Sequence, residues 1–166
     1  MSLRGLAAVI TLIPVVAVLI TIGTLLRNRA PLLEPPGLME RLGVYLGDNR
    51  IETAPDARFP ELRSRVYPLS DAEAAAAALD VLESLDWRRN SDHPQRPGRI
   101  QAAVRSPLLG FTDDIVIILT PVETGAATQI DMRAASRIGR GDLAANQSHW
   151  QRFIEVFEQR VGPPLD

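Results

Sequence analysis

Polar and apolar positions divide this chain into three unlike parts. Leu6 to Leu26 runs for 21 residues without a charge. At about 1.5 Å per helical residue that is roughly 31 Å, the thickness of a bilayer core. Apolar residues ring the stretch on all sides, which predicts a transmembrane anchor over residues 1–27, bent slightly at Pro14. A buried core helix would carry an amphipathic pattern, and none marks the stretch. A cleaved signal peptide would have a shorter apolar core and a small-x-small site, whereas Arg27-Asn28-Arg29 follows directly.

Residues 28–64 are spotted with proline (Pro31, Pro35, Pro36, Pro55, Pro60) and have poor periodicity. They read as a tether and irregular entry segment, with a short helix over Leu38–Leu46. A compact domain is expected over 65–162, followed by a tail at 163–166.

Within that domain, Val66–Leu69 reads as an edge strand, because Pro68 cannot donate to a central ladder. Ser70 and Glu73 form a capping-box pattern that opens a helix running to about Leu85. Its expected inner face carries Ala72, Ala75, Ala76, Leu79, Leu82 and Leu85. Trp87–Asn90 is a further candidate strand, and Ser91–Gly98 a loop. Arg99–Arg105 alternates, with Ile100, Ala102 and Val104 on one side. Asp114–Thr120 is nearly continuous in apolar β-formers, as a central strand covered on both faces would be. After a turn at Gly125, Thr128–Ile138 alternates again. Ile130, Met132, Ala134 and Ile138 share one side; Asp131, Arg133, Ala135 and Arg137 share the other. A last helix starts at an Asp142 cap and stops at Gly162-Pro163-Pro164. The order β-α-β-β-β-β-α, with short connections, predicts an α+β fold. It is an antiparallel sheet of four to five strands with two helices on one face, preceded by the transmembrane helix.

That parity gives the sharpest functional expectation. Asp131, Arg133 and Arg137 should lie on the sheet face away from the helices, with Arg105 and Gln101 beside them. Guanidinium forks suit carboxylate or phosphate. Arg140 and the start of the last helix add backbone N–H groups that favour an anion. The competing reading is that Arg133 and Arg137 pair with Asp131, Asp113 or Asp114 and fix the hairpin register. Asp113 and Asp114 are adjacent on a strand, point to opposite faces and make a poor catalytic pair. His93 and His149 have no partner at metal-ligand spacing, so no metal site is expected. A Ser136, His149 and Asp142 set lacks a nucleophile elbow and would be an arbitrary choice. Ser70 and Ser136 read better as a helix cap and a strand hydroxyl.

The chain has no cysteine and no lysine. Disulfides, thiol nucleophiles, lysine Schiff bases and P-loops are thereby excluded, and no cofactor is implied. With Arg4, Arg27 and Arg29 at the ends of the span set aside, 15 arginines face 20 acids. This part lacks the basic footprint that nucleic-acid binding requires. Arg4 precedes the span and Arg27 and Arg29 follow it, so the positive-inside rule is close to a tie. The signal-anchor pattern fits export and favours an external, periplasm-like placement of the domain.

The run Gly110-Phe111-Thr112-Asp113-Asp114, then Asp131-x-Arg133, Ser136-Arg137-Ile138-Gly139, Asp142-Leu143 and Asn146, resembles domain-of-unknown-function family 1499. Asn49–Thr53 and Tyr67-Pro68-Leu69 match its earlier segments weakly. The resemblance spans about residues 48–160. Ala134 and Gly141 stand where that family commonly has serine, and Ala144 where it has glycine. It implies a protein often membrane-attached or exported in bacteria, with relatives in plastids, and supplies no reaction. Phe111, Asp113, Asp114, Ser136, Gly139 and Asp142 are then expected as structural motif residues. Arg105, Asp131, Arg133, Arg137, Arg140 and Asn146 are expected as ligand-binding residues. Three functions follow: a membrane-tethered, non-enzymatic domain binding an anionic small molecule, lipid head group or membrane-protein partner; an envelope hydrolase with an aspartate general base; or a structural subunit of a membrane assembly.

Overall fold

The computed structural model describes residues 3–90, 96–105, 110–122 and 126–165, with side chains from Leu12 onward. His93, Asp92 and the Gly125 turn lie outside the described residues. Among the described residues four helices are present: α1 (Leu3–Arg27), α2 (Leu38–Gly47), α3 (Asp71–Ser84) and α4 (Ala145–Val161). Six strands form one sheet: β1 (Arg50–Glu52), β2 (Arg65–Tyr67), β3 (Arg88–Arg89), β4 (Arg99–Arg105), β5 (Thr112–Val122) and β6 (Ala127–Ser136). The path is β1-β6-β5-β4-β3, with β2 pairing β6 beyond the end of β1. Every strand pair is antiparallel, as short connections dictate.

Helices α3 and α4 pack on each other and on one face of the sheet. That face is supplied by Ile115, Ile117, Ile130, Met132 and Ala134, all buried. Tyr67, Trp87, Phe153 and Phe157 interleave with them in edge and stacked contacts. The expected parity holds through Ala134, but not at Ile138, which is 63% exposed. The strand has already ended at Ser136. Gly139, at φ +105°, then turns the chain away. The opposite face of β5 is open: Val116 and Ile118 are half-buried, with no helix among the described residues above them. The inner face of α3 centres on Ala74, Ala78, Val81 and Leu82, while Ala72 is exposed. A run of alanines offers too little contrast to set that rotation from periodicity. The capping box of Ser70 and Glu73 is present.

The segment 28–64, expected as a tether, contributes α2, β1 and a 3₁₀ turn at Pro60–Leu62 to the core. Tyr45, Phe59 and Leu62 are buried, and so is Arg41. The end of α1 also meets the domain. Leu25 is buried, and Asn28 Nδ2 donates to the Leu143 carbonyl at 2.8 Å. Among the described residues, no helix is long and apolar enough to cross a membrane.

Helix α4 begins at Ala145, two residues later than an Asp142 N-cap would place it. Leu143 and Ala144 both have left-handed backbone (φ 52° and 65°), which inserts one more corner. Asp142 still satisfies the helix start, because its carboxylate accepts from Ala144 N at 2.9 Å and Asn146 N at 3.0 Å. At the other end of α3, Asp86 has φ 55°, and Trp87 N bonds back to Leu82 O at 2.9 Å. This is the position where helices most often place glycine, and an acid there opposes the helix dipole. Asp86→Gly is expected to stabilise the protein by about 1 kcal/mol, raising the melting temperature by roughly 2–4 °C. Calorimetry showing no rise would remove that strain argument.

Candidate functional site

Of the arginines expected as a shared anion surface, Arg105, Arg133 and Arg137 are each occupied. On the open face, Arg133 lies opposite Glu52 of β1, and its Nε donates to the Glu52 carboxylate at 2.8 Å. Arg137 grips Asp114 with two hydrogen bonds, at 2.9 and 2.8 Å. Arg105 Nε donates to the Gly110 carbonyl at 3.2 Å. Asp131 holds no arginine. It accepts from Thr53 and Ser64 on one oxygen and Gln129 on the other, tying β1 and the chain before β2 to β6. Arg140 is exposed and makes no ion pair with a described residue, and Phe111 is 42% exposed. The guanidinium groups of Arg133 and Arg137 are thus spread over separate acids, Glu52 and Asp114.

The remaining motif residues converge instead on a polar knot at the start of α4. Asn146 is fully buried. Its Nδ2 lies 2.9 Å from Asn49 O, 3.2 Å from Ser136 Oγ and 2.7 Å from Asp142 Oδ2. Asn49 Nδ2 in turn donates to Gly139 O at 2.7 Å. Leu143 N and Asp142 N bond to Tyr45 O and Asp48 O, so the 137–144 loop is sewn to the end of α2. Gly141 is required at that seam, because a Cβ there would overlap the carbonyls of Tyr45 and Leu46. Burial pushes the Asp142 carboxyl above its ordinary range, against the N–H groups of Asn146 and Ala144 that favour its charge.

Asp113 and Asp114 point to opposite faces. Asp113 is 4% exposed and lies 2.8 Å from Nε2 of His149, whose ring packs nearly perpendicular to Trp87. Burial opposes ionisation of Asp113, but hydrogen bonds from His149 and Ser136 outweigh it and hold the carboxyl below its usual range. The carboxylate therefore sits between imidazole and hydroxyl. Nucleophilic catalysis needs the base on the nucleophile, and here Ser136 donates to the acid rather than to the imidazole. The His149–Asp113 contact joins residues 36 apart in sequence, and no local pattern signals it. No group of acids and histidines able to hold a metal ion is found among the described residues.

A well-formed cleft lies elsewhere, on the helix side of the sheet between α3 and the β3–β4 edge. Its volume is about 630 Å³. Arg89, Arg96 and Arg99 line it, with Asp71 of α3 as the single acid among the described residues. None of the three arginines makes an ion pair with a described residue. Arg89 is opposite Ala102 in the β3–β4 register, which places it on the helix side. The rim that carries Arg96 and Arg99 is anchored: Leu119 N donates to Gly98 O at 2.8 Å, and Arg99 N to Arg96 O. Gly98, at φ +69°, abuts the Leu119 carbonyl so closely that a Cβ would collide with it. One signal of this site was local, since Arg88, Arg89, Arg96 and Arg99 face only Asp92 over twelve residues.

Comparison with curated proteins finds no match. Among solved structures, the chain is similar to protein CV1439 from Chromobacterium violaceum, with 13% identity and a TM-score of 0.39. The likeness covers 69% of this chain and 99% of that one. Residues 47–157 match the family described as Protein of unknown function (DUF1499), and that stretch holds the sheet, α3, most of α4 and the polar knot. The chain belongs to the DUF1499 family.

Proposed function

We propose that this protein is a membrane-tethered domain that binds an anionic group without transforming it. The anion belongs to a small molecule, a lipid head group or a protein partner. The observation that carries this reading is the cleft that Arg89 and Arg96 line, with Asp71 the single acid among its described residues. Guanidinium groups without acid partners in a concave site are suited to a carboxylate or phosphate. The polar knot and the open-face ion pairs hold the sheet and α4 in register behind it.

The tether rests on α1. Leu12, Ile13, Leu19, Ile20 and Leu26 each expose more than half their surface. From Leu12 to Leu26 the only side-chain polar groups are the hydroxyls of Thr21 and Thr24, and Thr24 donates to Ile20 O. Apolar surface this continuous marks a membrane or partner contact. The signal-anchor pattern favours a bacterial inner membrane with the domain in the periplasm.

The test uses the full chain in neutral phosphatidylcholine vesicles. The protein is expected to float with the vesicles after an alkaline wash. It is expected to bind inorganic phosphate saturably at low salt. Arg89→Glu with Arg96→Glu should weaken phosphate binding by about tenfold or more, as loss of charge-assisted hydrogen bonds does. Arg133→Ala and Arg137→Ala should leave it unchanged. Protein left in the wash refutes the tether. Phosphate binding that follows Arg133 and Arg137 instead returns the site to the open face.

A further inference from the structure

We propose that the ligand of this cleft is an anionic amphiphile, a phosphate or carboxylate carrying an alkyl chain. The inference rests on the anion-binding reading above and extends it to the other half of the ligand. The cleft is not a uniformly polar bowl. Leu79 and Ala75 of α3 form one wall, and Ile100 and Leu119 form its floor on β4 and β5. Ile100 and Leu119 are largely buried, at 9% and 5% exposure, so this floor is the margin of the hydrophobic core.

A small hydrated anion would leave that floor wet. A chain-bearing anion covers it while its head group meets the arginines at the rim. The volume, about 630 Å³, falls within the roughly 300–1,000 Å³ of ordinary small-molecule sites. Two neighbouring features agree. Arg96 and Pro97 lie on the loop held to β5 through Gly98, so head-group and chain contacts are fixed relative to one another. The apolar surface of α1 would keep the cleft near a bilayer, where such molecules concentrate.

The head group comes either from an acidic lipid of the bilayer or from a free fatty acid or alkyl phosphate. The experiment titrates the full chain, in phosphatidylcholine nanodiscs, with inorganic phosphate, butyl phosphate, hexyl phosphate and hexanol; empty discs serve as the blank. Each buried methylene contributes up to about fourfold in affinity, so hexyl phosphate is expected to bind roughly tenfold tighter than butyl phosphate. Hexanol should bind far more weakly than either. Ala75→Leu fills the wall and should abolish the chain-length gain while leaving phosphate binding intact. Arg89→Glu with Arg96→Glu should weaken every anionic probe.

Phosphate and both alkyl phosphates binding equally would overturn the amphiphile and leave the anion site standing. No binding by any probe would overturn both. Hexanol binding as tightly as hexyl phosphate, indifferent to the arginine changes, would also overturn both. Repeating the hexyl phosphate titration with phosphatidic acid in the discs separates the sources. Competition supports a bilayer lipid, and an unchanged constant supports a free amphiphile.

Discussion

Arg41→Ala lowers the melting temperature by on the order of 10 °C, the largest single loss expected outside the apolar core. The Arg41 side chain has no exposed surface, yet every donor is used. Nε donates to Glu34 O at 2.9 Å, Nη1 to the Tyr45 hydroxyl at 2.9 Å, and Nη2 to Glu61 Oε2 at 3.1 Å and to Pro35 O. The second Glu61 oxygen takes Nη1, and the guanidinium carbon stacks 4.6 Å from the Phe59 ring centre. The Glu61 hydrogen bond, against the cost of burial, pushes the arginine further above its already high range. The chain continues inward, since the Tyr45 hydroxyl donates to Gln147 Oε1 of α4 at 2.7 Å. Truncation therefore strands a carboxylate, two carbonyls and a tyrosine that orients α4. Breaking one partner of a buried ion pair costs about 3–5 kcal/mol, at roughly 2–4 °C per kcal/mol for a chain of this size. Arg41→Lys should recover little, because a single ammonium cannot reach both Glu61 oxygens and the two carbonyls. A melting curve for Arg41→Ala within two or so degrees of the parent would show that this buried hub does not hold α2 in place.

Arg41 also marks where sequence reading stops. A short helix over Leu38–Leu46 was legible from its periodicity, and α2 is there. An arginine on such a helix reads as solvated, because nothing local says that Glu61 and Phe59 will close over it. The alternation of β6 was legible for the same reason that α2 was. A period-two pattern is intrinsic to a strand, so Ile130, Met132 and Ala134 face inward and Asp113 and Asp114 oppose each other. Partner choice was not legible. Arg133 meets Glu52 only because a three-residue strand from the proline-spotted segment lies beside β6. Ile138 was assigned inward by extending the period past the point where Gly139 ends it. The cleft draws on α3, β3, β4 and β5, and only its excess of arginine between residues 88 and 99 was visible beforehand. Family resemblance picked out Ser136 and Asp142 as structural residues and Asn146 as a ligand-binding one; the fold gathers all three in the knot that starts α4.

His149→Leu should destabilise strongly at pH 7 and much less near pH 4. Asp113 is 4% exposed, and His149 Nε2 at 2.8 Å and the Ser136 hydroxyl are the donors that hold its charge. In the parent, its carboxyl titrates below the ordinary value despite burial. Its contribution is therefore complete above the unfolded carboxylate range, near pH 4, and is lost only as pH falls through the lower folded value. Without the imidazole, burial is opposed by one hydroxyl alone, and the folded carboxyl titrates above its unfolded range. The sign then reverses: the variant is penalised at every pH above about 4, by about 3–5 kcal/mol once the group is forced to ionise. Asp142, whose carboxyl is raised by burial and in part by the charge of Asp113, titrates in both proteins, so the informative quantity is their difference. Asp113→Asn combined with His149→Leu removes the buried charge altogether and should recover much of the loss at pH 7. Thermal melts of the parent, the single variant and the pair across pH 4–8 decide the matter. A deficit for His149→Leu that is the same at every pH would mean the imidazole acts only by filling space beside Trp87. A double variant no better than the single one would say the same of Asp113.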